Sequence, residues 1–182
     1  SVNFGGRVNY AFADKYVAEY SGAYIGSTFL SRGNRWGYAQ GGGLGWIVSE
    51  EEFLRGSRWL NYLKIKVSYA NTKSDSGMSN YIDTDIYDPG ANYNYGDGTG
   101  QNALMTLQRG NPAISWVQRH DVNVGMEFSL FRHALSGEVN YFNSLRFDEI
   151  TRRTSQLPGV LGSSVFIPNE NYSSRRQSGI EA

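Results

Sequence analysis

Apolar and polar residues alternate along most of the chain, which is the pattern of a β-strand whose two faces lie in different surroundings. The first run is the clearest, with one phase made of Val2, Phe4, Val8, Tyr10 and Phe12 and the other of Asn3, Gly5, Arg7, Asn9 and Ala11. Similar runs begin near Tyr16, Trp36, Leu63, Val122 and Leu135, and a last one begins near residue 177. The pattern predicts an all-β chain of about six to seven antiparallel strands.

The length of these runs distinguishes two kinds of β-protein. Residues 2–12 and 16–26 each form an uninterrupted run, and a strand of about 11 residues tilted by about 45° spans roughly 26 Å. That height matches the apolar band of a transmembrane β-barrel, whereas strands of soluble proteins are about half as long. The pattern favours a membrane barrel, and a soluble β-sandwich with core aromatics is the alternative.

The connections between the runs alternate between short and long. Short turns are predicted at 13–15 and near 132–133, and the segment SEEEFL at 49–54 has the capping-box pattern of a short helical turn. Long polar stretches cover 70–119 and 144–176, and a loop of intermediate length covers 27–35. Bacterial outer-membrane barrels are built in this way, with tight turns on the periplasmic side and longer loops outside.

Composition supports strands and excludes several functions. The chain has 22 Gly and 13 Tyr but only 4 Pro and no Cys, so no cysteine is present for a disulfide, a metal or a nucleophile. The formal net charge of +0 gives no electrostatic reason to expect a nucleic-acid partner. The mean hydropathy of −0.48 is compatible with barrel strands, because alternating residues average out.

A sheet of this size is expected to be part of a larger structure. About six or seven strands of this length do not close into a barrel with loops this long. In lipid, an open sheet edge would leave backbone N–H and C=O groups without hydrogen-bond partners. We therefore expect residues 1–182 to be a partial barrel whose remaining strands come from elsewhere.

Several short motifs occur in the same order as in a known family. They are NYAFADKY at 9–16, NRWGY at 34–38, GWIVSEEEF at 45–53, LKIKVSY at 63–69, NPAISW at 111–116, GMEF at 125–128, GEVNYF at 137–142 and GIE at 179–181. Each motif is weak alone, but the ordered set covers nearly the whole chain. The chain resembles the β-barrel domain of SusC-like (RagA-type) TonB-dependent outer-membrane transporters of Bacteroidota.

The resemblance implies a transmembrane barrel of about 22 strands that surrounds an internal plug domain. In the family, the plug and the segment that contacts TonB lie N-terminal to the barrel, and neither is expected within residues 1–182. The family imports oligosaccharides or peptides across the outer membrane with energy delivered by TonB, beneath a SusD-like surface lipoprotein. It implies no enzymatic activity and no cofactor.

The long polar stretch at 70–119 contains four tyrosines that are candidates for binding. Tyr81, Tyr87, Tyr93 and Tyr95 offer large aromatic surfaces that could stack on a sugar or contact the lid lipoprotein. The alternative is that they pack the loop against itself.

Acidic residues in the same stretch are a weaker candidate for a metal site. Asp83, Asp85 and Asp88, together with Asp97, supply the carboxylate oxygens that Ca²⁺ prefers. Their spacing matches no complete calcium loop, so solvated loop carboxylates are the simpler interpretation.

The other polar residues suggest a wall rather than an active site. Arg7, Glu19, Lys64, Lys66 and Glu127 occupy polar phases of their strands, so we expect them to face the lumen. His120 and His133 lie at strand ends without a carboxylate and a nucleophile at catalytic spacing, and Gly41-Gly42-Gly43 lacks the residues of a phosphate loop. The runner-up functions are a non-transporting outer-membrane scaffold or adhesin, and a secreted glycan-binding β-sandwich.

Overall fold

The computed structural model describes residues 2–96, 99–156 and 164–182, and these residues form an all-β structure. The strands are β1 (Val2–Phe12), β2 (Tyr16–Gly26), β3 (Trp36–Ile47), β4 (Leu60–Ser74), β5 (Ile86–Tyr95), β6 (Thr99–Gln108), β7 (Val117–Leu130), β8 (Leu135–Thr151) and β9 (Glu170–Glu181). Short 3₁₀ turns lie at Val48–Glu50, Thr154–Gln156 and Ser164–Phe166. No helix in this described part of the chain is long and apolar enough to cross a membrane.

Seven of the strands form one antiparallel sheet in the order β1-β2-β3-β4-β7-β8-β9. The remaining two, β5 and β6, pair only with each other as a separate hairpin. Strands that are consecutive in the sequence are neighbours in the sheet, except where the hairpin is inserted between β4 and β7. The all-β fold with six to seven antiparallel strands is confirmed.

The two ends of the sheet carry different kinds of connection. At one end, called the turn end here, lie the connections at 13–15, 48–59 and 131–134. At the other, called the loop end, lie the connections at 27–35, 75–116 and 152–169. The predicted alternation of short and long connections is present, and the longest of them contains the β5–β6 hairpin.

One face of the sheet is apolar and open. Residues directly opposite each other in an antiparallel pair share a face, and the register places the apolar phases of adjacent strands together. Large side chains on this apolar face stay exposed, among them Phe4, Val8, Tyr10, Leu44, Val67, Val124 and Tyr141. Exposed fractions reach 67% for Val8 and 62% for Leu44. A continuous exposed apolar surface of this kind is typical of a face that contacts a membrane or another protein.

Among the described residues, the buried apolar side chains pack together at the loop end of the sheet, and not between two β-sheets. Leu30, Ile82, Ile114 and Trp116 form a buried cluster, and Ile25, Met78 and Ile150 pack against it. The members come from connections that are far apart in the sequence. The loops therefore form a packed layer over that end of the sheet.

Strands near the loop end are longer than the polarity of their sequence predicts. The stretch at 70–119, expected to be a polar loop, contains the end of β4, the β5–β6 hairpin and the start of β7. The loop expected at 144–176 is also shorter, because β8 continues to Thr151 and β9 begins at Glu170. The physical reason is that each extension pairs with a neighbouring strand, so the ladder of backbone hydrogen bonds continues through polar residues.

The capping box predicted at 49–54 does not form. The short 3₁₀ turn begins after Ile47, which provides no side-chain cap, and the Ser49 hydroxyl is buried without a hydrogen-bond partner among the described residues. Glu51 bonds instead to Lys15, Tyr16 and Trp46. The predicted short helical turn is therefore present, but without its predicted side-chain cap.

Candidate functional site: the polar face and the loop end

The polar face of the sheet carries compensated charges towards the turn end. Arg7 Nη2 lies 2.6 Å from Glu19 Oε2. Lys66 Nζ donates to Glu127 Oε1 at 2.9 Å and also to Glu138 on the next strand. The register places these side chains on one face, as the polar phases predicted. Their position in a barrel lumen stays a prediction.

The polar face is shallow and smooth over the first four strands. Small residues line a depression of about 500 Å³ there, among them Gly5, Ser21, Ala23, Ala39, Gly41 and Ala70. An added Cβ at Gly41 would lie 3.3 Å from the Cβ of Ala70, so even an alanine would be tightly packed. Arg7 and Gln40 also line the depression, but most of its lining residues are small, which leaves space beside this part of the sheet.

Three arginines distinguish the polar face of the last three strands. Arg119, Arg146 and Arg175 are aligned across β7, β8 and β9. The sequence analysis missed them, because Arg146 and Arg175 fell in a predicted loop and Arg119 fell at the end of another. Their alignment depends on the register in which β8 pairs with β9, and the sequence of a single strand does not reveal that register.

Tyr81 and Tyr87 are both presented to solvent beside the β5–β6 hairpin. Tyr81 is 68% exposed and adopts a φ of 61°, a left-handed conformation that is costly for a bulky residue. Its carbonyl accepts hydrogen bonds from the Thr84 N–H at 3.0 Å and from Gln108 Nε2 at 2.8 Å, which hold that conformation. The Tyr87 hydroxyl donates to Asp85 at 3.2 Å.

The other two predicted tyrosines are only partly located. Tyr93 and Tyr95 belong to β5, but their side chains lie outside the described part of the structure. A shared aromatic site made of Tyr81, Tyr87, Tyr93 and Tyr95 therefore stays a prediction.

The three predicted aspartates bond to their own surroundings. Asp83 accepts from Thr84 Oγ1 at 3.1 Å, and Asp88 accepts from the Gly90 N–H at 2.8 Å. Within the described ranges there is no group of three or more His, Cys, Asp or Glu side chains that could hold a metal ion. Asp97 lies outside the described residues. The described residues therefore give no support to a calcium site at Asp83, Asp85 and Asp88.

Asp85 fixes the segment that follows the hairpin. Its Oδ1 accepts from the Gly110 N–H at 2.8 Å, and its Oδ2 lies 3.3 Å from Arg109 Nη1. The hydrogen bond from Gly110, followed by the charge of Arg109, holds the pKa of the Asp85 carboxyl below its ordinary value. Asp85 therefore acts as a structural anchor between the two ends of the hairpin.

The histidines make packing contacts. The ring of His120 lies edge-on to Tyr69 and Phe147, with centroid distances of 5.9 Å and 4.9 Å. His133 Nδ1 lies 2.8 Å from the Ser129 hydroxyl in the turn between β7 and β8. Neither arrangement pairs a histidine with a carboxylate that would orient it for catalysis.

Comparison with known proteins identifies relatives of one kind. TonB-dependent receptor P39 of Formosa agariphila is 29% identical over 136 residues, which is 75% of this chain and 12% of that receptor. TonB-dependent receptor SusC of Bacteroides thetaiotaomicron is 27% identical over 186 residues, which is 94% of this chain and 17% of that receptor. The chain thus spans less than a fifth of the length of these relatives, and no protein-family model matches it.

Solved structures agree with the sequence relatives. A chain of the RagAB peptide importer in its closed-closed state superimposes with a TM-score of 0.79 and 25% identity, covering 98% of this chain and 18% of that one. The open-open state of the same importer gives the same values. These relatives are receptors and an importer, not enzymes. The chain is therefore a relative of the SusC-like TonB-dependent receptors and corresponds to a segment of their β-barrel.

Proposed function

We propose that this chain forms part of the wall of an outer-membrane importer of oligosaccharides or peptides. The observation that carries the proposal is the pair of unlike faces on one sheet, in a chain similar over 98% of its length to part of the RagAB peptide importer. The apolar face meets the lipid and the polar face lines the lumen. The plug and the remaining strands are contributed by other parts of the polypeptide.

The open edges of the sheet support its place in a larger barrel. Among the described strands, β1 and β9 each have only one neighbour in the seven-stranded sheet. In a membrane, the free backbone groups of such an edge have to be paired by further strands. Closure with strands from the rest of the protein supplies these pairs.

Energy and partners follow from the same proposal. TonB supplies the energy through the N-terminal part of the protein, and a SusD-like lipoprotein covers the loop end from outside. The exposed aromatic rings of Tyr81 and Tyr87 suit contact with the lipoprotein or with the solute, because such rings provide a large contact area at low entropic cost.

A pair of substitutions tests the membrane placement of the two faces. Val124 and Asn123 are neighbours in the middle of β7 and project from opposite faces. Val124→Arg should destabilise the folded barrel by about 2–4 kcal/mol, and Asn123→Arg by much less, because an arginine on the lipid face loses its hydration. Unfolding of the full-length protein in lipid vesicles measures both. Equal effects of the two substitutions would contradict the placement.

Gene deletion tests the transport function. A strain without the full-length gene should lose growth on the solute it imports and should regain growth when the wild-type gene is restored. Unchanged growth of the deletion strain on panels of oligosaccharides and peptides, together with the presence of the protein in the outer membrane of the wild-type strain, would instead support the scaffold or adhesin alternative.

A further inference from the structure

Three arginines form a row across the polar face near the loop end. Arg119 on β7 is in register with Arg146 on β8, and Arg146 is in register with Arg175 on β9. Side chains directly opposite one another share a face, and neighbouring strands are about 4.8 Å apart. The three side chains therefore leave the sheet along one line about 10 Å long.

The row has more positive than negative charge. Arg119 Nε lies 2.9 Å from Asp121 Oδ1, and Arg146 Nη1 lies 3.5 Å from Glu149 Oε1. No carboxylate in the described residues lies within ion-pair distance of Arg175, which is exposed. Like charges directly opposite each other destabilise a sheet, so sheet stability does not account for this alignment.

A polar cavity of about 160 Å³ opens between the three guanidinium groups. Ser144 and Gln177 complete its lining. The side chains of Arg119 and Arg146 are 48% and 46% exposed. A guanidinium has five N–H donors, and among the described residues only the Nε of Arg119 donates within this group, to Asp121 and Ser144. Most of the donors that line the cavity are available to a ligand.

A second cluster of charged side chains on the same face shows that the excess of positive charge is limited to the arginine row. Towards the turn end, Lys66 bonds to Glu127 and Glu138, and Lys64 is in register with Glu127, so positive and negative charges balance there. The arginine row lies towards the loop end, where β7 begins and β8 ends. A solute that enters from the loop end would therefore meet the positive region first.

We propose that Arg119, Arg146 and Arg175 form an anion subsite on the inner wall, which binds the carboxylate groups of an acidic solute. The inference rests on the import function proposed above and adds a substrate class to it. The planar fork of arginine matches the geometry of an oxyanion and binds it with two parallel hydrogen bonds. Ser144 and Gln177 contribute neutral donors beside the arginines.

Equilibrium binding to the purified full-length protein in detergent tests the proposal. The probes are fluorescently labelled tetragalacturonate and tetraglutamate, with neutral galactose and glutamine tetramers as their matched controls. Wild-type protein should bind at least one acidic probe about tenfold or more tightly than its neutral counterpart. The acidic probe that binds identifies the source of the anion as a glycan or a peptide.

Two neighbouring arginines on β9 provide a matched pair of variants. Arg175→Gln should weaken binding of the acidic probe about five- to tenfold, and Arg175→Lys should weaken it less, because the lysine keeps the charge and loses the fork. Arg176 is in register with Leu145 and projects from the opposite face. Arg176→Gln removes the same charge and should leave binding unchanged.

Several results would overturn the anion subsite. They are the absence of binding by every probe, equal binding of acidic and neutral probes, or equal effects of Arg175→Gln and Arg176→Gln. A fall in melting temperature for Arg175→Gln without any change in probe binding would show that the row holds an acidic segment of the protein itself. Failure of the proposed import function is distinguished separately, because the protein would then be missing from the outer membrane or would support no uptake.

Discussion

The loop end and the turn end of the sheet are held together by different interactions. At the loop end, a buried apolar cluster and side-chain amides join connections that are far apart in the sequence. At the turn end, the connections are held by backbone hydrogen bonds and by a few polar side chains, among them Lys15, Glu51 and Asn61. We therefore expect the loop end to behave as one tertiary unit, whereas at the turn end each polar anchor joins only two neighbouring connections.

Residues 109–116 are at the centre of the loop end. Ile114 is 1% exposed within the buried cluster, and its carbonyl accepts from Asn34 Nδ2 at 2.9 Å. The N–H of Ser115 donates to Asn171 Oδ1 at 2.8 Å, and Asn171 Nδ2 donates back to the Ser115 carbonyl at 2.9 Å. Asn111 Nδ2 donates to the Asn169 carbonyl at 2.8 Å. This segment therefore joins all three connections of the loop end.

The turn end depends on strained turns and on two polar anchors. Phe131, Arg132 and His133 all have positive φ, between 53° and 68°. Asn61 Oδ1 accepts from the N–H groups of Arg132, at 2.6 Å, and of His133, at 3.3 Å. Glu51 is the second anchor, between the first turn and the connection from β3 to β4. Each anchor serves one or two turns.

The largest expected effect is the loss of the buried cluster. Ile114→Ala should destabilise the loop end by about 2–5 kcal/mol, because the substitution leaves a cavity among closely packed residues. Hydrogen exchange of the full-length protein, followed by mass spectrometry, should show faster exchange in 27–35, 75–85 and 109–116 together. The turn end should keep its wild-type exchange rates.

Phe131→Ala is the matched substitution at the turn end. Phe131 is 58% exposed, so its truncation should change stability by no more than about 0.5 kcal/mol. If Ile114→Ala speeds exchange only in its own segment, the loop end is not a single tertiary unit and the comparison is wrong.

A smaller effect is expected from the amide that links β9 to residues 109–116. Asn171→Ala removes three hydrogen bonds, two with Ser115 and one with the Asp148 carbonyl at 2.7 Å. We expect a loss of about 1–3 kcal/mol, because the partly buried Ser115 groups are left without partners. Limited proteolysis of the folded protein at 109–116 measures this loss.

Asn61→Ala is the corresponding change at the turn end. It frees the N–H groups of Arg132 and His133, which can bond to water instead. The expected cost is about 1 kcal/mol, confined to the turn between β7 and β8. If Asn61→Ala cost more stability than Asn171→Ala, the turn end would depend more strongly on its amide contacts than the loop end does.

The same contrast explains what the sequence predicted. The turns at 13–15 and near 132–133 were predicted, because each depends on a few consecutive residues. The alternation in β1 and β2 gave their exact bounds, because one face of each strand is apolar. Local patterns were sufficient wherever the structure is local.

Predictions were wrong where pairing continues through polar residues. The β5–β6 hairpin, the end of β8 and the start of β9 were predicted as loops, because polar residues are frequent in these stretches. The alternation of Leu145 and Phe147 with Ser144 and Arg146 at the end of β8 was not recognised. The alignment of Arg119, Arg146 and Arg175 depends on register between strands and was also missed. The NPAISW motif at 111–116 contributed to the family resemblance, but its contacts at the loop end could not be derived from the motif.

The smallest expected difference between the two ends is their response to acid. Hydrogen bonds from Tyr16, then from Lys15 and Trp46, hold the pKa of the Glu51 carboxyl below its ordinary value of 4.5. A lowered pKa means that this stabilisation is fully present above about pH 4.5 and is lost as the pH falls through the lower value of the folded state. The turn end should therefore loosen in acid, as measured by hydrogen exchange at 13–15 and 48–59 after correction for the intrinsic rate.

Glu51→Gln provides the control for this acid response, because glutamine keeps the shape of the side chain and cannot titrate. The variant should exchange faster than wild type at neutral pH, and its exchange, corrected in the same way, should not change further in acid. At the loop end, the pKa of Asp85 is also lowered, but the cluster of Leu30, Ile82, Ile114 and Trp116 contains no ionisable group. Acid should therefore loosen the hairpin base near Gly110 while Ile114 stays protected. Equal loss of protection at Ile114 and at residues 13–15 would show that the loop end depends on charge as much as the turn end does.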